Sequence, residues 1–185
     1  MFLVQRSLCR TLVFALIAVS SLVCHAAPAA KPKAVLRGSY SLHFLDLHTG
    51  NRLNVVYRNA HGYRRQSLVR LSSFLRDRRT GQIHAYDPRV FDLLHALLIS
   101  LGKPNGEIDV ICGYRTPWTN HFLYTHGHHV AVHSLHMKAM AIDIRVRGVS
   151  TARLRDAALA LHRGGVGYYP GEHFVHVDVG RVRRW

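Results

Sequence analysis

Two segments of this sequence carry charged and imidazole side chains inside strand-like apolar runs. In residues 132–146, the run Ala-Met-Ala-Ile-Asp-Ile-Arg-Val predicts a strand with Asp143 inside the sheet. In residues 173–180, the alternation Phe-Val-His-Val-Asp-Val predicts a second strand, which directs His176 and Asp178 to the same face. The rest of the chain is therefore expected to fold around a sheet that contains both strands.

His136, Asp143 and His176 form a candidate ligand set for one zinc ion. Two imidazoles and one carboxylate leave the fourth tetrahedral position open to water. A hydrolytic zinc site requires this open position, whereas a structural zinc site lacks it. The set therefore predicts an enzyme. The spacing from His136 to Asp143 is a weak signal by itself, because the sequence contains 15 His residues.

Three motifs in a fixed order give that spacing its context. They are Ser-x-His-x-x-x-x-Ala-x-Asp at residues 134–143, Cys-Gly-Tyr-Arg-Thr-Pro-Trp-Thr-Asn at residues 112–120, and the segment at residues 164–185. Together they resemble the zinc D-Ala-D-Ala peptidases, a group that also includes lysostaphin-type enzymes and the hedgehog signalling domain. Within that group, roughly residues 37–185 are similar to the bacterial murein endopeptidases of the MepK (YcbK) type.

The resemblance implies an α+β fold, with a small, mainly antiparallel sheet, helices packed on one face and a zinc cleft on the other. It implies one zinc ion per chain, held by the ligand set above. The implied reaction is hydrolysis of the peptide cross-links of peptidoglycan, including links between two diaminopimelate residues, during cell-wall remodelling.

Arg115 is the first candidate for a catalytic residue outside the ligand set. It follows a predicted strand at residues 108–112, where a guanidinium can hold a carboxylate or a developing oxyanion through two hydrogen bonds. A structural salt bridge is the alternative, and the resemblance favours the functional role. Tyr114 and Ser134, which belong to the same motifs, are expected to contact the substrate with Arg115.

The general base is left open between two residues. The D-Ala-D-Ala peptidases place a Glu three residues before the last His ligand, and this chain has His173 there, with Glu172 one position earlier. Asp178 shares a face with His176, so its carboxylate can accept a proton from water or orient the imidazole. Asp178 is preferred over His173.

Two other functions compete with the endopeptidase. A zinc D,D- or L,D-carboxypeptidase acting on stem peptides would release a single amino acid. A non-catalytic, zinc-containing cell-wall-binding module would keep the metal site without peptidase activity, as in the hedgehog domain. The residue pattern does not separate these alternatives.

The beginning of the chain predicts export. Arg6 and Arg10 precede an apolar run that is short for a membrane span, so residues 1–26 are interpreted as a cleaved secretory signal and residues 27–36 as a tether. Residues 37–185 then form one metallopeptidase domain in the periplasm or cell envelope, with no stable membrane insertion. An uncleaved anchor is the alternative.

The strong positive charge of the chain indicates which kinds of partner the protein can bind. The formal net charge is +15, which implies anionic surroundings such as nucleic acid, acidic lipid or the cell-wall polymer. Export argues against nucleic acid and favours peptidoglycan. The oligomeric state is not indicated by the sequence.

Local patterns predict the remaining elements. Residues 40–48 and 52–57 predict a hairpin, and helices are predicted over residues 65–79, 88–101 and 151–163.

Three further features lie near the zinc motif. The His-rich tract at residues 121–133 is interpreted as an exposed wall of the cleft, in which His133 is the candidate to line the active site. Cys112 is interpreted as a buried small hydrophobic residue rather than a nucleophile. Ala139 stands where the resembled family has Gly, which matters only if the position requires a positive φ angle.

Overall fold

The computed structural model describes residues 38–127 and 130–185. The predicted signal and tether, residues 1–26 and 27–36, lie outside this range. None of the helices in the described part has the length and apolar character that a membrane span requires.

The described strands form one open, mixed sheet. They are β1 (Tyr40–Asp46), β2 (Arg52–Asn59), β3 (Gly62–Tyr63), β4 (Glu107–Cys112), β5 (Ala141–Val146), β6 (Gly165–Tyr169), β7 (Phe174–Asp178) and β8 (Arg183–Arg184). Their order is β3-β2-β1-β4-β5-β7-β6-β8. The pairs β1–β4 and β6–β8 are parallel and the other neighbours are antiparallel. The predicted α+β fold is therefore confirmed, as is the hairpin of β1 and β2.

Four α-helices accompany the sheet in the described residues. They are α1 (Arg65–Phe74), α2 (Pro88–Ser100), α3 (Pro117–Thr125) and α4 (Thr151–Ala160), and a short 3₁₀ helix covers Leu135–Lys138. The start of α2 is as predicted, because the carboxylate of Asp87 accepts the Arg89 N–H at 2.9 Å and Pro88 occupies the first turn. Helix α3 was not predicted from the sequence, although Thr116 caps it and Pro117 begins it.

Two helices end earlier than predicted. Helix α1 stops at Phe74, because the carbonyl of Leu75 accepts a hydrogen bond from the backbone N–H of Tyr114 at 2.8 Å. This tertiary bond takes the chain away from the helix axis. Helix α4 stops at Ala160 rather than at residue 163.

One face of the sheet forms the hydrophobic core. Phe44, Ile108, Ile144 and Val175 lie on neighbouring strands, are fully buried, and pack with apolar residues of α1, α2 and α4. Burying a side chain of this size contributes about 1.5–3 kcal/mol. Helices α1, α2 and α4 therefore occupy one face of the sheet and leave the opposite face available for polar side chains.

Candidate active site

Strand register places a row of neighbours on the face opposite the core. Cys112 on β4 pairs with Asp143 on β5, Asp143 pairs with His176 on β7, and His176 pairs with Gly167 on β6. Side chains directly opposite one another on antiparallel strands have Cβ atoms about 4.5–5.5 Å apart. The register therefore brings Asp143 and His176 into contact across the sheet.

His136 joins this row from the 3₁₀ helix before β5. Its Nδ1–H donates to the carbonyl oxygen of Gly113 at 2.6 Å, and its backbone N–H donates to the hydroxyl of Ser134 at 3.3 Å. These bonds direct Nε2 towards the sheet, where it lies 3.1 Å from Asp143 Oδ1 and 3.1 Å from His176 Nδ1.

The three side chains offer a compact set of metal-binding atoms. His176 Nδ1 lies 2.9 Å from Asp143 Oδ1, which closes the triangle with His136 Nε2. A tetrahedral zinc ion with bonds of about 2.1 Å holds its ligand atoms about 3.4 Å apart. The observed distances are shorter than this separation by about half an ångström or less. All three residues are buried, so an ion held here is shielded on the protein side.

A second grouping of potential ligands includes Cys112. Its Sγ and one ligand atom each of His136 and Asp143 lie within 4.8 Å of one another. The set with His176 is tighter, and we prefer it for that reason. Burial raises the pKa of Cys112 to about 11, so without a metal the thiol stays protonated near neutral pH. A neutral thiol fits the interpretation as a small packing residue better than that of a nucleophile.

Asp178 lies on the far side of His176 from the ligand set. Its Oδ2 is 3.1 Å from His176 Nε2, whereas Nδ1 of the same ring faces Asp143. The Asp178 carboxylate also accepts two hydrogen bonds from the guanidinium of Arg183, at 3.1 and 2.7 Å, and is fully buried. Each candidate ligand imidazole thus has its second ring nitrogen held by an oxygen, as metal-binding histidines usually do.

The electrostatics of the site favour metal-binding protonation states for His136 and Asp143. Burial lowers the pKa of His136, which keeps the imidazole neutral. Burial alone would raise the pKa of Asp143, but the two imidazoles hold it well below its ordinary value. Burial opposes charge on His176, yet hydrogen bonds to Asp143 and Asp178 raise its pKa, so protons compete with a metal at this ring as the pH falls.

Arg115 lies beside the ligand set. Its Nη2 is 3.6 Å from Asp143 Oδ2, and its Nη1 donates to Asn120 Oδ1 at 3.3 Å. Asn120 in turn donates to the carbonyl of Ala131 at 3.0 Å, which ties α3 to the segment before the 3₁₀ helix. The guanidinium is therefore held next to a candidate metal ligand.

Residue 113 must be a glycine because the backbone of Leu75 lies too close to leave room for a side chain. A Cβ at this position would lie 2.6 Å from the carbonyl oxygen of Leu75. This contact lets the chain leave β4 directly into Tyr114 and Arg115, while the Gly113 carbonyl turns towards His136. Space, rather than an unusual φ angle, explains the glycine.

A cleft of about 840 Å³ opens over the ligand set. It contains Arg115, Ser134 and the three candidate ligands, and His133 and Glu172 lie on its wall. Other residues around it are His48, Arg78, Ile111, Cys112, Leu123, Gly127, Val130, Ala131, Leu135, Tyr169, Phe174, Arg183 and Trp185. In the His-rich tract, His128 and His129 lie outside the described residues.

Three sequence candidates lie elsewhere. Tyr114 is buried beside an adjoining smaller cavity, with its ring centroid 5.2 Å from that of His84. His173 is exposed in the turn between β6 and β7, where its carbonyl accepts from Arg145 Nε at 2.7 Å. Neither of these side chains is among the described residues that line the large cleft, and nor is Asp178.

Trp185 forms a wall of the cleft and was not among the site residues predicted from the sequence. Its ring centroid is 5.1 Å from that of His176, and its Nε1–H donates to the Tyr169 hydroxyl at 2.8 Å. A Cβ on Gly167 would lie 2.7 Å from the indole. A glycine between Val166 and Tyr168 in a strand was the available signal, because strand glycines mark close approaches.

Ala139 adopts a left-handed conformation, with φ 49° and ψ 40°, at the end of the 3₁₀ helix. This is the conformation in which glycine has no steric penalty. The methyl group is nevertheless accommodated in the core, where Ala139 is fully buried. The departure from the resembled family therefore falls at a position where backbone conformation matters.

A family model and individual known proteins that match the chain carry the same description. A family model described as peptidoglycan L,D-endopeptidase MepK matches residues 35–185. The chain is 42% identical over 144 residues to the probable peptidoglycan L,D-endopeptidase MepK of Haemophilus influenzae, covering 78% of this chain and 77% of that protein. It is 39% identical over 142 residues to the peptidoglycan L,D-endopeptidase MepK of Escherichia coli K12, covering 76% of each.

Proposed function

The chain belongs to the family of the peptidoglycan L,D-endopeptidase MepK, and we propose that it hydrolyses peptidoglycan cross-links at a zinc site formed by His136, Asp143 and His176. As a member of this family it is a peptidoglycan endopeptidase. The observation that carries the zinc proposal is the convergence of one atom from each side chain, at mutual distances of 2.9 to 3.1 Å.

The donor set suits zinc. Two imidazole nitrogens and one carboxylate oxygen form a three-ligand set with an open fourth position, in a cleft large enough for a peptide. Zinc bound there would polarise the scissile carbonyl and make a bound water acidic near neutral pH.

Asp178 is a positioning residue in this proposal. The His176 ring separates its carboxylate from the ligand atoms, so Asp178 has no direct path to a water in the cleft. The hydrogen bond from His176 Nε2–H to Asp178 orients this nitrogen towards the protein interior and leaves His176 Nδ1 as the ligand atom. This geometry favours the orienting role over the general-base role that the sequence left open.

Among the residues on the cleft wall, Glu172 is the proposed proton acceptor. Its exposed side chain lies on the cleft wall, and its backbone carbonyl is held by Arg145 Nη2 at 2.8 Å. A carboxylate on the wall can take a proton from the attacking water and return it to the leaving amine. His133 is the other titratable candidate on the wall, whereas His173 lies outside the cleft lining.

Arg115 and Ser134 are proposed to contact the substrate. The Arg115 guanidinium lies beside the ligand set and can stabilise negative charge that develops on the carbonyl oxygen. Ser134 lines the cleft and also holds the backbone of His136. Tyr114 is proposed to support the Arg115 segment from the core, since its side chain is buried.

The substrate and location follow from family membership. The proposed substrates are the peptide cross-links of peptidoglycan, including those between two diaminopimelate residues. The proposed site of action is the periplasm or cell envelope, after removal of residues 1–26. The positive charge of the chain suits an anionic wall polymer.

Incubation of the purified protein with isolated dimeric muropeptides tests the proposed function. Dimers should be converted to monomers, the conversion should stop with a chelator, and it should return with zinc. Release of a single amino acid from monomers instead would favour the carboxypeptidase. Muropeptide binding without conversion, with zinc bound, would favour the non-catalytic module.

A further inference from the structure

A loop between α1 and α2 carries a second arginine into the cleft. Asp77 lies near the start of this loop and is almost completely buried. Its Oδ1 accepts the N–H groups of Arg79 at 2.8 Å and Thr80 at 3.1 Å. Its Oδ2 accepts the N–H of Thr116 at 2.6 Å and the Thr116 hydroxyl at 2.9 Å. Thr116 directly follows Arg115, so Asp77 fixes the backbone of Arg78 relative to the Arg115 segment.

The Arg78 side chain is exposed and lines both the large cleft and the smaller cavity that adjoins it, as does Arg115. Both cavities also include Cys112, the end of the row that contains Asp143. Arg78 therefore lies on the β4 side of the candidate metal site.

Arg78 differs from the other arginines of the cleft in its pairing. Arg115 is paired with Asp143, and Arg183 with Asp178. In the described part of the chain, Arg78 forms no ion pair. Its guanidinium is thus available to an anionic group of a ligand.

The substrate class supplies such a group. An L,D cross-link joins the carbonyl of an L-centre to an amine on a D-centre, and between two diaminopimelate residues that D-centre carries a carboxylate. This carboxylate is attached to the carbon that bears the scissile nitrogen, so it enters the cleft with the scissile amide. A guanidinium binds a carboxylate through two charge-assisted hydrogen bonds.

We propose that Arg78 binds the carboxylate on the amine side of the scissile amide and selects cross-links in which this group is unmodified. The inference rests on the proposed function, because it names a substrate contact of the same cleft. Amidation of the carboxylate removes its charge and therefore weakens recognition.

The test compares two synthetic cross-linked peptides that differ only in having a carboxylate or a carboxamide at this position. Zinc-loaded wild-type protein should prefer the carboxylate in kcat/KM by roughly 10- to 100-fold. Arg78→Ala should lose most of that preference, mainly through KM on the carboxylate peptide, and Arg78→Lys should restore part of it. Arg70→Ala, which removes an exposed arginine of α1 outside both cavities, should keep the preference.

Equal cleavage of both peptides by the wild type would overturn the inference, as would an equal loss on both in Arg78→Ala. Cleavage of neither peptide would instead count against the proposed function. Calorimetric binding of non-hydrolysable versions of both peptides then decides the role of Arg78: a carboxylate preference lost in Arg78→Ala supports it, and an unchanged preference rejects it. Zinc content and melting temperature of each variant check that folding is intact.

Discussion

The carboxylate of Asp178 contacts the imidazole of His176 on the side away from the other candidate ligands, with Asp178 Oδ2 3.1 Å from His176 Nε2. The opposite ring nitrogen, Nδ1, faces Asp143 at 2.9 Å. Asp178 can therefore act on a metal through His176, and the geometry gives it no direct access to the cleft.

Asp178→Asn should weaken zinc binding while preserving the shape of the side chain. Loss of the carboxylate partner of a ligand imidazole typically lowers metal affinity by roughly 10- to 100-fold. Competition with a zinc chelator measures this affinity, and Glu172→Gln is the matched control, which should retain wild-type affinity. Full zinc affinity in Asp178→Asn together with a large loss of kcat would instead favour Asp178 as the general base.

His136→Ala should abolish stoichiometric zinc binding and activity together. The side chain supplies one of three candidate ligand atoms, and two ligands do not make a stable tetrahedral site. Metal analysis after dialysis measures the zinc content. His133→Ala, three residues earlier on the cleft wall, should retain about one zinc ion per chain. Retention of zinc by His136→Ala would move the site elsewhere.

Glu172→Gln should lower kcat without loss of zinc. Removal of a general base typically costs roughly 10²- to 10⁴-fold in rate. Turnover of dimeric muropeptides by the zinc-loaded variant measures the effect, and His133→Ala is expected to lose less. A larger loss in His133→Ala than in Glu172→Gln would reverse the assignment.

Asp77→Asn should destabilise the fold at neutral pH. Burial alone would raise the pKa of Asp77, but hydrogen bonds from Thr119, Thr116 and Thr80 lower it. Because the pKa of Asp77 in the folded state lies below the unfolded value of about 3.9, its ionised carboxylate stabilises the fold above that pH. This contribution to stability is lost as the pH falls through the folded-state pKa. Denaturant unfolding at pH 7 should show a loss of about 1–3 kcal/mol.

The pH series provides the check on Asp77. The difference between wild type and Asp77→Asn should shrink as the pH is lowered below about 4. Asp156→Asn, an exposed carboxylate on α4, is the matched control and should change stability little. A difference between wild type and Asp77→Asn that is independent of pH would show that the ionised carboxylate is not the cause.

Gly167→Ala should displace the indole of Trp185, because the added Cβ would lie 2.7 Å from the ring. Overpacking of this kind costs about 1–3 kcal/mol of stability. Thermal unfolding and tryptophan fluorescence report the change, and Gly171→Ala, where the added Cβ meets nothing within 4 Å, is the control. In a Trp185→Ala background, Gly167→Ala should cost much less, and an unchanged cost would rule out this contact.

Local sequence patterns were sufficient for several features of the protein. Alternation in residues 141–146 and 174–178 predicted strands β5 and β7, because side chains alternate between the faces of a sheet. Asp87 and Pro88 marked the start of α2, since capping depends on adjacent residues. The resemblance to MepK-type endopeptidases rested on three ordered motifs, and the family comparison confirms it.

Contacts between distant segments decided the rest. The side of His176 on which Asp178 lies depends on the pairing of β7 with β5. The burial of Tyr114 depends on the close approach of Gly113 to Leu75, and the position of Arg78 depends on the hydrogen bonds that Thr116 donates to Asp77. Residue types and the three ordered motifs, through the family resemblance, predicted the fold class and the candidate ligands. Register and loop packing determined which groups face the cleft, because they depend on contacts between segments far apart in the chain.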